Sequence, residues 1–320
     1  MPIFVWWILG GLLASGILLW IISYFVAARL VYKKTLRRTS REQWSRELPS
    51  DVAPDSLEMY ATGRAWADAN RTHCTDVHIV RDGLNLYGEF YHFGHTRCAM
   101  ILSGRTECLK YGYYFAIPYA AAGYNILVVD PRGHGNSDGE FNTVGFEESK
   151  DAIAWVRYIS ETFGQASFVF HGICIGAAAG ILALTSEDCP DCVDAIVTEG
   201  MFAYFGESMK NHLIERKKPV LGLYQLINRQ MKIHTGHSMS KGPIHVIDRL
   251  KKPLLMLHSR EDRYSTPAFA ERLFERAGTA DKSIVWFPRG RHSMLRITDT
   301  ARYDGAITEF LARTFATQEI

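Results

Sequence analysis

Hydrophobic positions fall into three regimes along the chain: one unbroken apolar block, then helical and alternating patterns, then short apolar runs at regular intervals. The block, Ile3 to Ala28 (IFVWWILGGLLASGILLWIISYFVAA), contains no charged side chain and exceeds the roughly 20 residues that cross a hydrocarbon layer. It predicts one transmembrane helix within residues 1–28, with Trp6, Trp7 and Tyr24 placed for the two interfaces. A cleaved signal peptide would have a basic leader and a shorter apolar run. Pro54 to Asn70 reads as a short amphipathic helix with Leu57, Tyr60, Ala61 and Trp66 on one side. Val77 to His92 alternates on both sides of Asp82-Gly83, the pattern of an antiparallel hairpin.

Six apolar runs then alternate with helical stretches: Cys98–Gly104, Asn125–Asp130, Ser167–Gly172, Asp194–Gly200, Pro253–Ser259 and Ser283–Pro288. Strands apolar on both faces and separated by helices form a parallel sheet covered on both sides. With the hairpin they predict an α/β fold built on a mostly parallel eight-stranded sheet. Met201 to Val246 is too long for a simple crossover and reads as a small helical cap insertion, about 201–246. The expected organisation is a transmembrane helix (1–28), a basic juxtamembrane segment and linker helix (29–73), and the α/β domain (74–318).

Composition adds two points. With 47% hydrophobic and 22% charged residues over 320 positions, the chain has ample material for a globular core. Its net charge of +2 conceals a split, because Arg29, Lys33, Lys34, Arg37, Arg38 and Arg41 follow the apolar block with no acid before Glu42. Beyond them 30 bases face 34 acids, a net −4. The basic flank predicts a domain on the cytoplasmic side and contact with membrane lipids through the helix and that flank. Nothing in the domain carries the charge signature of nucleic-acid binding. In the cytoplasm the six cysteines are expected to be reduced. Cys189 and Cys192 form a C-x-x-C with no second pair nearby, so neither a metal site nor a cofactor is expected.

The stretch that carries chemistry is His171 to Ala177, H-G-I-C-I-G-A, where an apolar strand gives way to small helical residues. Gly172 and Gly176 flank Cys174 at the positions where side chains would collide in a sharp strand-to-helix turn. Such a turn lifts the thiol to a helix N-terminus. It also aims the N–H of Ile175 at a developing oxyanion, with a second N–H expected from Arg105 after the strand ending at Gly104. Alone, the spacing is weak, and a small buried hydrophobe would satisfy it equally. Two further loops give it company: SREDRYSTP places Asp262 after one strand, and RGRHSM places His292 after the next. His292 would take the thiol proton and Asp262 would orient the imidazole. Glu199 is a rival acid, and His134 and His171 are rival bases that more plausibly hold loops or touch substrate. His258, within a strand, reads as structural.

These residues resemble the α/β-hydrolase superfamily over about residues 75–315: ILSGRT for the oxyanion loop, GYNILVVDPRGHGNSDG for the fourth strand and its loop, HGICIGA for the nucleophile elbow, LLMLHSREDRYSTP for the acid and GRHSM for the histidine. The chain order of nucleophile, acid and histidine is that of the family. The nearest resemblance is to membrane-anchored monoacylglycerol-lipase-like and prolyl-oligopeptidase-like hydrolases. Two positions depart from the family pattern: Ser103-Gly104 stands where His-Gly is usual, and Cys174 stands where Ser is usual. Dienelactone hydrolases and bile-acid-CoA:amino-acid N-acyltransferases also use cysteine there. The resemblance implies a thioacyl-enzyme and an ester or thioester as the small-molecule or lipid acyl substrate. Transfer of the acyl group to an amine or alcohol is the alternative within enzymes. A membrane-tethered binding module without catalysis is the alternative outside them.

Overall fold

The computed structural model describes residues 2–45 and 53–316; part of the expected polar linker and the last positions of the expected domain lie outside that range. In chain order the elements are α1 (Ile3–Leu36), α2 (Pro54–Ala69), β1 (Cys74–Arg81), β2 (Leu84–Tyr91), β3 (Arg97–Leu102), α3 (Leu109–Ala121), β4 (Asn125–Val129), α4 (Phe146–Phe163), β5 (Ser167–Ile173) and α5 (Ile175–Leu184). There follow β6 (Val193–Glu199), α6 (Phe205–Glu215), α7 (Leu223–Thr235), β7 (Leu254–Ser259), α8 (Pro267–Arg276), β8 (Lys282–Phe287), α9 (Leu295–Thr298) and α10 (Thr300–Ala316).

The apolar runs become one eight-stranded sheet in the order β1-β2-β4-β3-β5-β6-β7-β8. The β1–β2 hairpin is antiparallel and joins β4 antiparallel, and every remaining pairing is parallel. Because both faces are covered, the core falls into two clusters, one centred on Phe115, Val169 and Tyr303 and the other on Phe90, Trp155 and Phe170. Parallel pairing brings the C-terminal ends of β3, β5, β6, β7 and β8 to one edge. The loops carrying Arg105, Cys174, Glu199, Asp262 and His292 all leave from it.

Three expectations change. The first helix does not end at Ala28; it runs unbroken for 34 residues to Leu36. Its last turns dock on the domain through the buried Ala28, Tyr32 and Leu36, an i, i+4, i+8 stripe. Tyr32 stacks on His234 of α7 at 5.5 Å and on Phe141 at 6.3 Å. The basic flank is accordingly divided. Arg37 pairs with Glu140 at 2.9 Å, and Arg38 donates to the carbonyls of Ser137, Gly135 and Arg41, so these two arginines hold the domain. Helix α2 buries Met59, Tyr60, Gly63 and Ala67 and leaves Leu57 and Ala61 exposed, a face rotated from the expected one. The cap is two helices, α6 and α7, joined by residues 216–222, where Pro219 and Gly222 (φ 78°) interrupt the helical pattern.

Candidate active site

Strand β5 ends at Ile173, α5 begins at Ile175, and Cys174 between them has φ 53° and ψ −107°. A non-glycine residue in that region costs on the order of 1–3 kcal/mol and persists only where its surroundings enforce it. The enforcement is visible. A Cβ on Gly176 would lie 1.9 Å from the Leu102 carbonyl oxygen, and one on Gly172 would lie 2.5 Å from the Ala177 backbone. The turn therefore closes only with glycine at both positions. It is fastened by the Cys174 N–H donating to the Glu199 carbonyl at 2.9 Å and by Ala178 N–H donating to the Cys174 carbonyl at 3.2 Å.

His292 Nδ1 meets Asp262 Oδ2 at 2.7 Å, which leaves Nε2 for the Cys174 thiol, the imidazole's other interacting side chain. The loop after β7 holds the carboxylate from behind, because Tyr264 and Ser265 N–H both donate to Asp262 Oδ1 at 2.9 Å. Burial alone would raise this carboxyl, yet the facing imidazole and the loop N–H hold it below the usual range. Burial likewise opposes the imidazolium, but Asp262 and Cys174 outweigh it and push His292 well above its ordinary value. Gly200 lets β6 approach this pair, since a Cβ there would stand 3.0 Å from His292 Cε1.

Arg105 and Ile175, the expected oxyanion donors, lie on two neighbouring segments. Arg105 lies in the loop after β3 and Ile175 at the first turn of α5. Gly104 closes the gap between the two loops, its Cβ position being 3.6 Å from Cys174 Cβ. The oxyanion loop is braced by His134, whose Nδ1 bonds the Arg132 carbonyl at 2.9 Å and whose Nε2 accepts from Thr106 N–H at 3.2 Å. Burial lowers His134 to about 4, which keeps it neutral and able to accept. Its ring stacks on Trp44 at 4.7 Å. The Arg105 guanidinium donates to the Thr35 carbonyl in the last turn of α1 at 3.3 Å and lies within electrostatic reach of Cys174 and His212.

The rivals are placed elsewhere. Glu199 accepts from Leu295 N–H at 3.0 Å and from Tyr303 OH at 2.6 Å, and burial raises it to about 7. His171 lies between Tyr119 OH at 2.9 Å and Tyr303 OH at 3.2 Å, fully buried, and is lowered to about 3 by that burial. His258 bonds the Ser265 carbonyl at 2.6 Å. Cys74, Asp76 and Glu89 form a small group with metal-ligand chemistry, but Arg71 occupies it, reaching all three within 3.3 Å.

A cavity of about 290 Å³ opens over Cys174 and His292. Its walls come from α2 (Met59, Tyr60), the oxyanion loop and the cap (Phe205, Ser208, His212). The roof was not legible in the sequence: His212 stacks on Tyr264 at 4.0 Å, and Tyr264 meets the His292 ring edge-on at 5.7 Å. Nothing in the spacing of α6 announces that pairing.

Comparison with known proteins agrees with this architecture. Residues 100–225 match the family model described as alpha/beta hydrolase fold, and residues 203–299 match that described as serine aminopeptidase, S33. The uncharacterized protein YqkD of Bacillus subtilis is 29% identical over 217 residues, covering 67% of this chain and 69% of that protein. The uncharacterized membrane protein YNL320W of Saccharomyces cerevisiae is 22% identical over 307 residues, 95% of each chain. Among solved structures, the Pyrococcus furiosus esterase Pf2001 superposes with a TM-score of 0.66 at 20% identity, covering 83% of this chain and 97% of that one. With strand order, elbow and both family matches in agreement, this chain has the α/β-hydrolase fold.

Proposed function

We propose that the protein is a membrane-anchored carboxylic ester or thioester hydrolase that works through Cys174, His292 and Asp262. The observation that carries this reading is the strained backbone at Cys174, held at the one strand-to-helix turn that faces the His292–Asp262 pair. Strain maintained beside a buried charge-assisted pair serves chemistry better than packing.

His292 Nε2 takes the thiol proton as Sγ bonds to the substrate carbonyl carbon, and the carbonyl π electrons move to oxygen. The N–H groups of Ile175 and Arg105 stabilise that oxyanion. Collapse expels the alcohol or thiol, which leaves with the proton from His292, and the acyl group remains on Cys174 as a thioester. Water then attacks with His292 again as base, releasing the acid and restoring the thiol. Asp262 keeps the proton on Nδ1 throughout, so that Nε2 alone takes up and returns the proton that moves. Amides are poorer substrates, because a departing amine needs stronger protonation than an alkoxide or thiolate. The apolar wall formed by Met59, Phe205 and Met294 suits a lipophilic acyl chain. Helix α1 is long and apolar enough to cross a membrane, which supports chemistry beside lipid, and the charge of its C-terminal flank supports the cytoplasmic side.

The test is turnover of acyl esters and acyl thioesters of several chain lengths by the full chain in detergent, with intact-mass detection of the acyl-enzyme. Release of free acid with an acyl adduct on Cys174, lost in Cys174→Ala, is expected. Neither turnover nor adduct with any acyl donor would refute it.

A further inference from the structure

We infer that the cap touches the bilayer a second time, through the loop between α6 and α7, whose basic residues 216–218 meet anionic lipid headgroups while Leu221 and Ile214 enter the interface. This rests on the anchoring by α1 proposed above. From Ile3 to Ser23 no residue of α1 is buried, and Tyr24 is the first of the regularly spaced positions at which the helix meets the domain. At a rise of about 1.5 Å per residue this free stretch measures roughly 31 Å, the thickness of a ~30 Å hydrocarbon core. Tyr24 and whatever packs on it therefore stand at the boundary between hydrocarbon and headgroups.

What packs there is the start of α7. A Cβ on Gly222 would lie 3.4 Å from the Tyr24 ring, whereas His234, twelve positions on, stacks against Tyr32. The two helices thus run side by side in the same sense, and α7 points its N-terminal end at the membrane. The loop leading into that end reads Glu215-Arg216-Lys217-Lys218-Pro219-Val220-Leu221, with three consecutive exposed bases and one acid. Leu221, beside the Gly222 that meets Tyr24, is 83% exposed, and Ile214 at the other end of the loop is 62% exposed, large apolar side chains that the described residues leave mostly uncovered. Apolar residues beside a basic cluster bind an anionic lipid surface by combined burial and attraction. Two other observations converge on that occupant: the loop continues the boundary set by the span, and its charge complements anionic headgroups. Since Phe205, Ser208 and His212 on α6 line the cavity, the loop that meets lipid is the direct extension of the cavity wall.

The test uses the full chain in nanodiscs with a photoreactive benzoylphenylalanine at one position at a time. Leu18 in the free span is the positive control, and Val80, 76% exposed on β1, is the control for an exposed apolar residue at the far edge of the sheet. Lipid adducts are expected at 18 and 221 and not at 80. The yield at 221 should rise several-fold when phosphatidylglycerol is added to phosphatidylcholine. Lys217→Glu with Lys218→Glu should return it to the phosphatidylcholine level without changing the melting temperature. Adducts at 18 but none at 221, or equal yields at 221 and 80, would overturn the second contact and leave the anchor standing. No adduct at 18 would overturn the anchor and this inference with it. A yield at 221 indifferent to phosphatidylglycerol and to both charge reversals would overturn the assignment to anionic lipid.

Discussion

Asp262→Asn tests the catalytic reading most sharply, because the loop dictates how the amide must sit. Two backbone N–H groups, from Tyr264 and Ser265, point at Oδ1 from 2.9 Å. An asparagine there must keep its oxygen towards those donors, since an NH₂ would face two N–H groups. Its NH₂ is thereby turned to His292 Nδ1, in place of the carboxylate oxygen at 2.7 Å. The imidazole then accepts at Nδ1 and carries its proton on Nε2, aimed at Cys174, where it cannot receive the thiol proton. A wrong tautomer of this kind costs on the order of 10³–10⁴ in kcat, or about 4–5.5 kcal/mol of transition-state stabilisation. The assay is kcat/KM on an acyl thioester from pH 5 to 9, alongside thermal melts of the same samples. His292 is raised above its unfolded value near 6.5. The stability this represents is fully present below that value and is lost as pH rises through the raised folded one. The stability deficit of the variant should accordingly be greatest between about pH 5 and 6.5 and shrink towards alkaline pH. More than a tenth of wild-type activity in a folded Asp262→Asn would refute the assignment of the acid.

Other consequences are as direct. Gly176→Ala places a methyl 1.9 Å from a backbone carbonyl oxygen that no rotamer can relieve, so it should destabilise by about 3 kcal/mol or more in denaturant titration. Gly305→Ala, in α10 with open space around its Cβ position, should stabilise by roughly 0.4–1 kcal/mol. Glu199→Gln can still accept from Leu295 N–H while donating to Tyr303 oxygen, and it removes a buried acid raised to about 7. The wild type loses stability from this group as pH climbs from about 4.5 to about 7. The variant should show a flatter stability profile over that window and be the more stable protein at pH 8. His134→Ala removes the acceptor of Thr106 N–H; it should lower kcat by tenfold or more with little change in KM, as loss of a brace on the oxyanion loop requires.

Much of the site was legible because its constraints are local. Small residues around Cys174 are forced by contacts with the immediately adjoining strand and helix, and apolar runs identify their own strands. Asp262 and His292 were legible by position, as each follows a strand whose C-terminal end must lie at one edge. Contacts between distant segments were not legible. Helix α1 continues through Arg29, Lys33 and Lys34 because its other face meets α7, and no property of those bases reveals this. The face of α2 followed its docking on α3 rather than its own mean pattern. Arg37 and Arg38 read as membrane charge until Glu140 and the carbonyls of the 135–137 loop came within reach.

The docking of α1 on α7 also orders events in time. Tyr32 leaves the ribosome about two hundred residues before His234, the ring it stacks on. For the first half of that interval, until Phe141 and Asn142 follow, the Ala28, Tyr32 and Leu36 stripe has no partner from the domain, and the side of it that meets α7 stays uncovered for all of it. The contact is among the longest-range in the chain, and such contacts form late. The docking of α1 is therefore completed in stages, first on the 135–142 loop and later on α7. A chain arrested before α7 would leave exposed the side of Tyr32 that His234 covers, a mark by which quality-control factors could tell it from the finished protein.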